Sequence, residues 1–517
     1  MKRRLLSVSI AVCAATWLST AVAQSVTGTP ADNKLSPATE TFYVNIPPDA
    51  TPPDNVNNFK TESLGVAINA SGNVIIGWED DGDGLTDWEA VWTLYSPAGV
   101  PLTPDTQVTS IDPAYAGQTI QTRFLSYFRA DGSAISGRTG WGPKIKANLF
   151  GAGCGMGSST WDLGKEVVAF APWTDANEDD YPSVQLLTDS GAPIGILAGV
   201  SATYAQGNGS IRIGDWDYLS NGNIVIVGES RQNDELVSKY GGTTAGRHVI
   251  FRIVDPAGNV VKAETLVSQN PVAGEMWHGV GVTKNGFGVR WAEGGRATVR
   301  LFDNDGNPVT GNLDLGTLTG KEIASGGGRG DSAGFHGNGD GLYVAVNGGT
   351  DETGRRQVWV TVLRADGTLV YSKGVCDDYV LINISGTDAA VDSMGRVFAV
   401  WSATIQDDYA PSLVMGRVLD PTGNPIGGTF YISESLDETL YAYYDSTDPR
   451  VFARGDAFAV VWESKNQVNN PGTTIVAARL FGVTYEPGTI EAEGLRRIVP
   501  DTVINLPEID SRNNWEP

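Results

Sequence analysis

The chain has 517 residues, and its 60 acidic side chains against 36 basic ones give a formal net charge of −24. A surface of this sign repels phosphate backbones, so nucleic acid is excluded as an expected partner. A chain of this length often divides into several domains, but its 64 glycines and its turn signals are spread along the whole sequence. This distribution favours one large repeating all-β fold.

The first residues are typical of an export signal. Basic residues at 2 to 4 precede a largely apolar run from Leu5 to Leu18, and small residues stand before Gln24, which predicts a cleavable signal peptide over 1–23. No later run approaches the roughly 18 apolar residues of a spanning helix. We therefore expect no membrane insertion and a secreted protein, periplasmic or extracellular. After cleavage Cys154 and Cys376 remain, either bridged or as two buried thiols.

A first repeated pattern consists of a glycine-containing turn followed by an apolar run that usually ends in tryptophan. Seven such runs end at Trp78, Trp173, Gly228, Trp291, Asn347, Trp401 and Trp462. Each one predicts a hairpin that leads into a buried strand. From Trp173 onward the repeat is about 54 to 63 residues long, which suits a unit of four strands.

A second pattern follows the first and predicts an outer hairpin in each unit. Here an apolar strand meets Asp or Pro plus Gly and then resumes, at 94–102, 186–194, 252–261, 301–309, 362–370 and 417–426. The last unit, at 475–485, has the strand but lacks the return strand, while a strand-like segment at 40–46 has no partner nearby in sequence. We therefore expect the two ends of the chain to pair and to remove exposed sheet edges.

Together the two patterns resemble the repeats of secreted bacterial β-propeller proteins. The resemblance implies an all-β propeller, and it implies no particular activity, because propellers carry many functions. We expect seven four-stranded blades, with six or eight as alternatives because the stretch between Trp78 and Trp173 is irregular. The expected organisation is a signal peptide at 1–23, a flexible N-terminal segment at 24–39, the propeller at 40–485 and a C-terminal extension at 486–517.

One face of such a disc carries the loops that follow the Trp-ending strands, together with the links between blades. These loops are long and mostly acidic, and long loops on a rigid scaffold are where binding usually occurs. The clearest candidate for a metal site has acidic side chains at nearly alternating positions, namely Glu79, Asp81, Asp83 and Asp87. This spacing resembles calcium-binding loops. A solvated acidic turn without an ion is the alternative.

Aromatic side chains on the same face are candidates for ligand binding. Tyr181 and Tyr409 each follow two aspartates at equivalent places in two repeats, and Trp277 and Tyr443 fall in links between blades. Rings beside carboxylates suit a sugar, but the same rings could pack between blades.

Catalytic residues are scarce in this sequence. His278 and His336 precede inner strands of neighbouring blades and are candidates for an acid and base pair at the central channel. Three functions remain open: a binding or scaffold protein whose acidic, calcium-holding face engages a glycan or an extracellular protein; a carbohydrate-active hydrolase or lyase at the channel mouth; or a structural component of an extracellular assembly. The first is favoured because no complete catalytic motif is present.

Overall fold

The computed structural model describes residues 30–39, 41–44, 61–68, 72–80, 89–104, 106–107, 125–128, 134–137, 144–147, 166–170, 183–187, 193–197, 211–230, 248–255, 260–270, 275–324, 334–376, 381–405, 412–433, 444–466 and 474–485. These residues form antiparallel β-sheets and one short helix. None of the described segments is a helix long and apolar enough to cross a bilayer.

The first strands of the chain are β1, Pro30–Pro37, and β2, Phe42–Tyr43. Sheet 1 follows, with β3 Thr61–Ile68, β4 Val74–Asp80, β5 Glu89–Tyr95 and β6 Thr106–Gln107. A two-stranded hairpin then consists of β7 Leu125–Phe128 and β8 Ala134–Gly137. Sheet 2 contains β9 Lys144–Ala147, β10 Glu166–Phe170, β11 Ser183–Leu187 and β12 Pro193–Leu197. Sheet 3 contains β13 Ile211–Tyr218, β14 Ile224–Ser230, β15 Val249–Val254 and β16 Val260–Leu266.

Sheet 4 contains β17 Met276–Thr283, β18 Gly286–Glu293, β19 Arg296–Asp303 and β20 Leu313–Asp314, and helix α1, Leu315–Thr319, comes after it. Sheet 5 contains β21 Glu322–Ile323, β22 Phe335–Gly337, β23 Leu342–Thr350, β24 Arg356–Arg364 and β25 Leu369–Gly374. Sheet 6 contains β26 Leu381–Val391, β27 Val397–Ile405, β28 Leu413–Leu419 and β29 Pro425–Tyr431. Sheet 7 contains β30 Tyr444–Arg454, β31 Ala457–Asn466 and β32 Thr474–Tyr485, joined by β1 and β2.

The sheets are arranged as a β-propeller, which confirms the expected fold class. The first strand of a sheet contacts the first strand of the next, as β13 does with β17 and β26 with β30, and β3 contacts β30 to complete the ring. For six of the sheets the structure describes buried side chains as well as strand pairing. Sheet 2 is described by its strand pairing, has the same strand order, and contacts sheets 1 and 3 through β9.

Four tryptophans of the first repeated pattern lie on the second strands of sheets 1, 4, 6 and 7. Trp78, Trp291, Trp401 and Trp462 are almost completely buried. Strand β18 is buried at nearly every position, because sheet 3 covers one face of sheet 4 and sheet 5 covers the other. The apolar clusters accordingly join adjacent sheets: one unites sheets 3 and 4, another sheets 4 and 5, and a third sheets 5 and 6.

The second repeated pattern forms the outer turns, and an aspartate organises each of the best examples. Asp420 accepts hydrogen bonds from the backbone N–H groups of Thr422 and Asn424 at 2.8 and 2.9 Å. Asp303 does the same in sheet 4. Gly423 follows with a φ of 86°, a conformation that side chains disfavour. The Asp-x-x-Gly signal is therefore a local device that closes a hairpin.

The ends of the chain close the ring, as the sequence predicts. Phe42 and Tyr43 pair with Ala478 and Ala477 on β32. Strand β1 also pairs with β32, so the first strand begins earlier than the 40–46 segment and lies within the segment expected to be flexible.

Sheets 4 and 5 are held together by an unusually close backbone contact between their inner strands. A Cβ atom on Gly281 would lie 2.7 Å from the carbonyl carbon of His336, and one on Gly337 would overlap the carbonyl oxygen of Val282. Just beyond, the Lys284 N–H donates to the Gly339 carbonyl at 2.6 Å. Glycine at positions 281 and 337 is what allows β17 and β22 to approach this closely.

Candidate functional site

Most of the predicted site residues lie where the structure gives no side-chain geometry. Residues outside the described ranges are Asp81, Asp83, Asp87, Tyr181, Tyr409, Tyr443 and Cys154. Glu79 is in β4 and Trp277 is in β17, but only their backbones are described. Within the described ranges no three or more His, Cys, Asp or Glu side chains are grouped so that they could hold a metal ion. The calcium prediction stays a prediction.

The two candidate histidines lie on neighbouring inner strands. His278 on β17 is 5% exposed. His336 on β22 is half-buried, and its Nε2 lies 2.8 Å from Oδ1 of Asp388 on β26 in the next sheet. A carboxylate in this position orients an imidazole ring.

Asp388 also has a structural role that accounts for its burial. Its Oδ1 accepts the N–H of Ala389, and its Oδ2 accepts the N–H of Val451 on the inner strand of sheet 7, both at 2.9 Å. Asp215 repeats this arrangement: it accepts the N–H of Trp216 and the N–H of Val280 on the next inner strand. These aspartates connect adjacent blades, so the His336–Asp388 pair is not by itself evidence of catalysis.

A large open cleft lies between sheets 4 and 5 at the opposite end of the inner strands from the Lys284–Gly339 hydrogen bond. Its volume is 970 Å³, at the upper end of the range for ligand sites. Its walls come from the β18–β19 turn, helix α1, the link at 321–324, the β23–β24 turn and Ile384 of β26. The turns after second strands and a link between sheets therefore meet on one face, as the repeat pattern predicts.

The lining of this cleft is polar and rich in glycine. Among the described residues the side chains with charged or hydroxyl groups are Arg296, Asp314, Thr317, Lys321, Glu322, Thr350 and Arg356. Seven of the described lining residues are glycines, at 294, 295, 316, 320, 348, 349 and 354. A surface of this kind can exchange many hydrogen bonds with a ligand that carries several hydroxyl groups.

The charged groups of the cleft are partly compensated. Arg296 donates to Asp314 at 2.9 Å, and Asp314 also accepts the Thr317 N–H at 3.0 Å. Desolvation raises the pKa of Asp314, but these two bonds outweigh it and lower the pKa below its ordinary value, so Asp314 is ionised near neutral pH. Lys321 lies 3.5 Å from the exposed Glu352 and stands 5.3 Å from the ring centre of Trp359.

One carboxyl group beside the cleft has a pKa that is raised, not lowered. Glu293 ends β18 and precedes the first lining glycine. Burial, and then the neighbouring Glu275 carboxylate, raise its pKa, although Glu293 accepts a hydrogen bond from Trp291 Nε1 at 3.2 Å. Glu293 and Asp314 thus have pKa values displaced in opposite directions.

The sequence interpretation placed the loops that form this cleft on one face but did not single out these residues. The loop at 348–357, which follows the run ending at Asn347, supplies Arg356 to the cleft. Among the described residues no aromatic ring lines the cleft, and Trp216 and Tyr218, two other aromatics of the links, are buried. The signal that could have indicated the cleft is basic residues directly after glycine turns on a face that is otherwise acidic.

Comparison with known proteins assigns the chain to no family. No family model matches it, and no curated protein matches it. Solved structures with a similar arrangement include the α-L-arabinofuranosidase Arb93A of Fusarium graminearum bound to an iminosugar inhibitor (7% identity, TM-score 0.39, covering 88% of this chain and 98% of that one). Another is the Penicillium chrysogenum α-L-arabinanase bound to arabinobiose (10% identity, TM-score 0.34, covering 88% of this chain and 98% of that one). A third is the Dos1 propeller (9% identity, TM-score 0.36, covering 89% of this chain and 97% of that one).

Proposed function

We propose that this protein is exported and binds a carbohydrate in the cleft between sheets 4 and 5. The observation that carries the proposal is the cleft itself, a 970 Å³ opening on the loop face whose lining is dominated by glycine backbone and by polar side chains. A ligand rich in hydroxyl groups complements this lining, and the volume of the cleft suits an oligosaccharide better than a single sugar. The net charge of −24 argues against nucleic acid as the alternative polymer.

The walls of the cleft stand on the ends of buried strands, and this supports a role in binding. Strands β18 and β23 are buried along most of their length, and Asp314 caps helix α1 through the Thr317 N–H. Groups held in this way lose little conformational freedom when a ligand binds.

The test is to measure oligosaccharide binding by calorimetry with the mature chain and with one variant that fills the cleft. Thr317→Trp places an indole at an exposed lining position and is expected to abolish binding. Thr368→Trp is the matched control, because Thr368 is also exposed and also follows an aspartate that accepts its N–H, but it lies outside the cleft. Equal binding by the two variants would contradict the proposal.

A second candidate function is hydrolysis of the bound carbohydrate, favoured by the pair Glu293 and Asp314. Glycosidases divide their work between a carboxyl group with a raised pKa and an ionised carboxylate, and these two residues show that difference in direction. Glu293→Gln is expected to stop product formation, measured by chromatography of the sugars, while calorimetric binding persists. If the unmodified protein releases no product from an oligosaccharide that it binds, this candidate fails and binding alone remains.

A further inference from the structure

The distribution of charge inside the cleft narrows the class of carbohydrate, on the premise that the cleft is a carbohydrate site. Among the described residues its lining carries three basic side chains, Arg296, Lys321 and Arg356, and two acidic ones, Asp314 and Glu322. The cleft therefore has a local excess of positive charge in a chain whose formal net charge is −24. A neutral sugar requires no such excess.

The three basic groups are not equally available to a ligand. Arg296 is held by Asp314, with Glu322 also acting on its charge. Lys321 forms an ion pair with Glu352 at 3.5 Å, and the Glu352 side chain is 91% exposed. An exposed ion pair of this kind contributes little to stability. Among the described residues Arg356 forms no ion pair, and it is exposed at the start of β24.

Two features place these cations for recognition. The ammonium group of Lys321 stands over the face of Trp359, a contact that limits where the flexible side chain can point. Arg356 begins a strand that is buried immediately afterwards, so its backbone position is fixed. A guanidinium group presents a planar fork of donors that matches the two oxygens of a carboxylate or sulfate.

We propose that the cleft recognises an acidic glycan, and that Arg356 and Lys321 bind its anionic groups. Carboxylate groups of uronic acids and sulfate esters share the chemistry that these two side chains recognise. The remaining hydroxyl groups of the sugar face the glycine backbone and the two threonines of the lining.

The test compares three oligosaccharides by calorimetry at fixed ionic strength. Tetragalacturonate carries carboxylates, its methyl ester has the same backbone without charge, and a chondroitin sulfate tetrasaccharide carries sulfate as well. We expect at least one anionic oligosaccharide to bind about tenfold or more tightly than the ester, which is the effect of one charge-assisted contact. Whether tetragalacturonate or the sulfated sugar binds more tightly identifies which anion the cleft prefers.

Variants assign the effect to the proposed residues. Arg356→Gln and Lys321→Gln are each expected to weaken binding of the preferred anionic sugar by about tenfold and to weaken binding of the ester by clearly less. Arg355→Gln is the matched control, because Arg355 is the adjacent exposed arginine and does not line the cleft. It should bind as the unmodified protein does, and thermal unfolding of each variant checks that it is folded.

The outcomes separate this inference from the function on which it rests. If the ester binds as tightly as the acidic sugars, or if Arg356→Gln and Arg355→Gln behave alike, the charge inference is overturned and the cleft remains a carbohydrate site. If none of the three oligosaccharides binds and a panel of neutral oligosaccharides also fails, both proposals are overturned.

Discussion

Replacing Gly337 by alanine tests the close contact between the inner strands of sheets 4 and 5. The added Cβ would overlap the Val282 carbonyl oxygen and would lie 2.6 Å from its carbonyl carbon and 2.8 Å from its nitrogen. All three atoms belong to the backbone, so no side-chain rotation relieves the overlap, and β22 must move away from β17. That movement also stretches the 2.6 Å hydrogen bond from Lys284 to Gly339.

The expected cost follows from these two effects. Overpacking in a filled interior costs about 1–3 kcal/mol, and the weakened hydrogen bond adds about 1 kcal/mol. For a chain of this length, where 1 kcal/mol shifts the unfolding temperature by about 1–2 °C when the known size dependence is extended, Gly337→Ala should unfold roughly 2–8 °C earlier. The assay is thermal unfolding followed by tryptophan fluorescence, since the buried indoles of the second strands report loss of the blades.

Gly428 provides the control for this experiment. It lies in β29, a Cβ atom there would have no neighbour within 4 Å, and its φ is not in the left-handed region. Gly428→Ala should therefore be neutral, or stabilising by about 0.4–1 kcal/mol through the unfolded chain. Equal unfolding temperatures for the Gly337 and Gly428 variants would refute the argument that β17 and β22 require glycine to pack.

Three further predictions concern the aspartates and calcium. Asp388→Ala leaves the buried N–H of Val451 without its acceptor and should lower the free energy of unfolding, measured in urea, by about 1–3 kcal/mol. The loss should exceed that of His336→Ala. An equal loss would mean that Asp388 supports the histidine and not the connection between blades. Desolvation raises the pKa of Asp420, but its hydrogen bonds lower the pKa more. The contribution of Asp420 to the free energy of unfolding is therefore present above its pKa in the unfolded chain, and it is lost as the pH falls through its pKa in the folded protein. The difference in unfolding free energy between the unmodified chain and Asp420→Asn should shrink below about pH 4, and a constant difference would contradict this. Calcium should raise the unfolding temperature measured against EDTA if the 79–89 loop binds it; no shift would remove that site.

The parts of the fold that the sequence predicted are those in which a local signal determines the structure. A glycine turn, an apolar run and a tryptophan identified the second strands, because a strand covered on both faces must be apolar at consecutive positions. The outer turns were predictable because Asp420 and Asp303 bond to backbone groups only two and four residues away. Closure of the ring followed from counting strands, since 475–485 lacked a partner.

The cleft could not be predicted in the same way because its walls come from separate parts of the chain. Arg296 and Arg356 are 60 positions apart and are brought to one opening by the order of the blades, which no local pattern encodes. Their charges were also hidden by the composition, since the acidic residues of the surrounding loops outnumber them. Likewise, the inner-strand aspartates have no motif, because each one bonds to a backbone group in the next blade.

The close contact and the cleft lie at opposite ends of the same pair of sheets, and this separation has a functional consequence. Strand β17 runs away from the cleft toward the Lys284–Gly339 bond, and β18 returns to the turn at 294–296 that lines it. Glycine at position 337 therefore lets the inner strands meet at backbone distance, at the end that lies away from the cleft. The contact holds together sheets 4 and 5, whose turns form walls of the cleft. A variant that forces the strands apart should thus weaken ligand binding as well as stability, whereas Asp420→Asn, in an outer turn of sheet 6, should change stability alone.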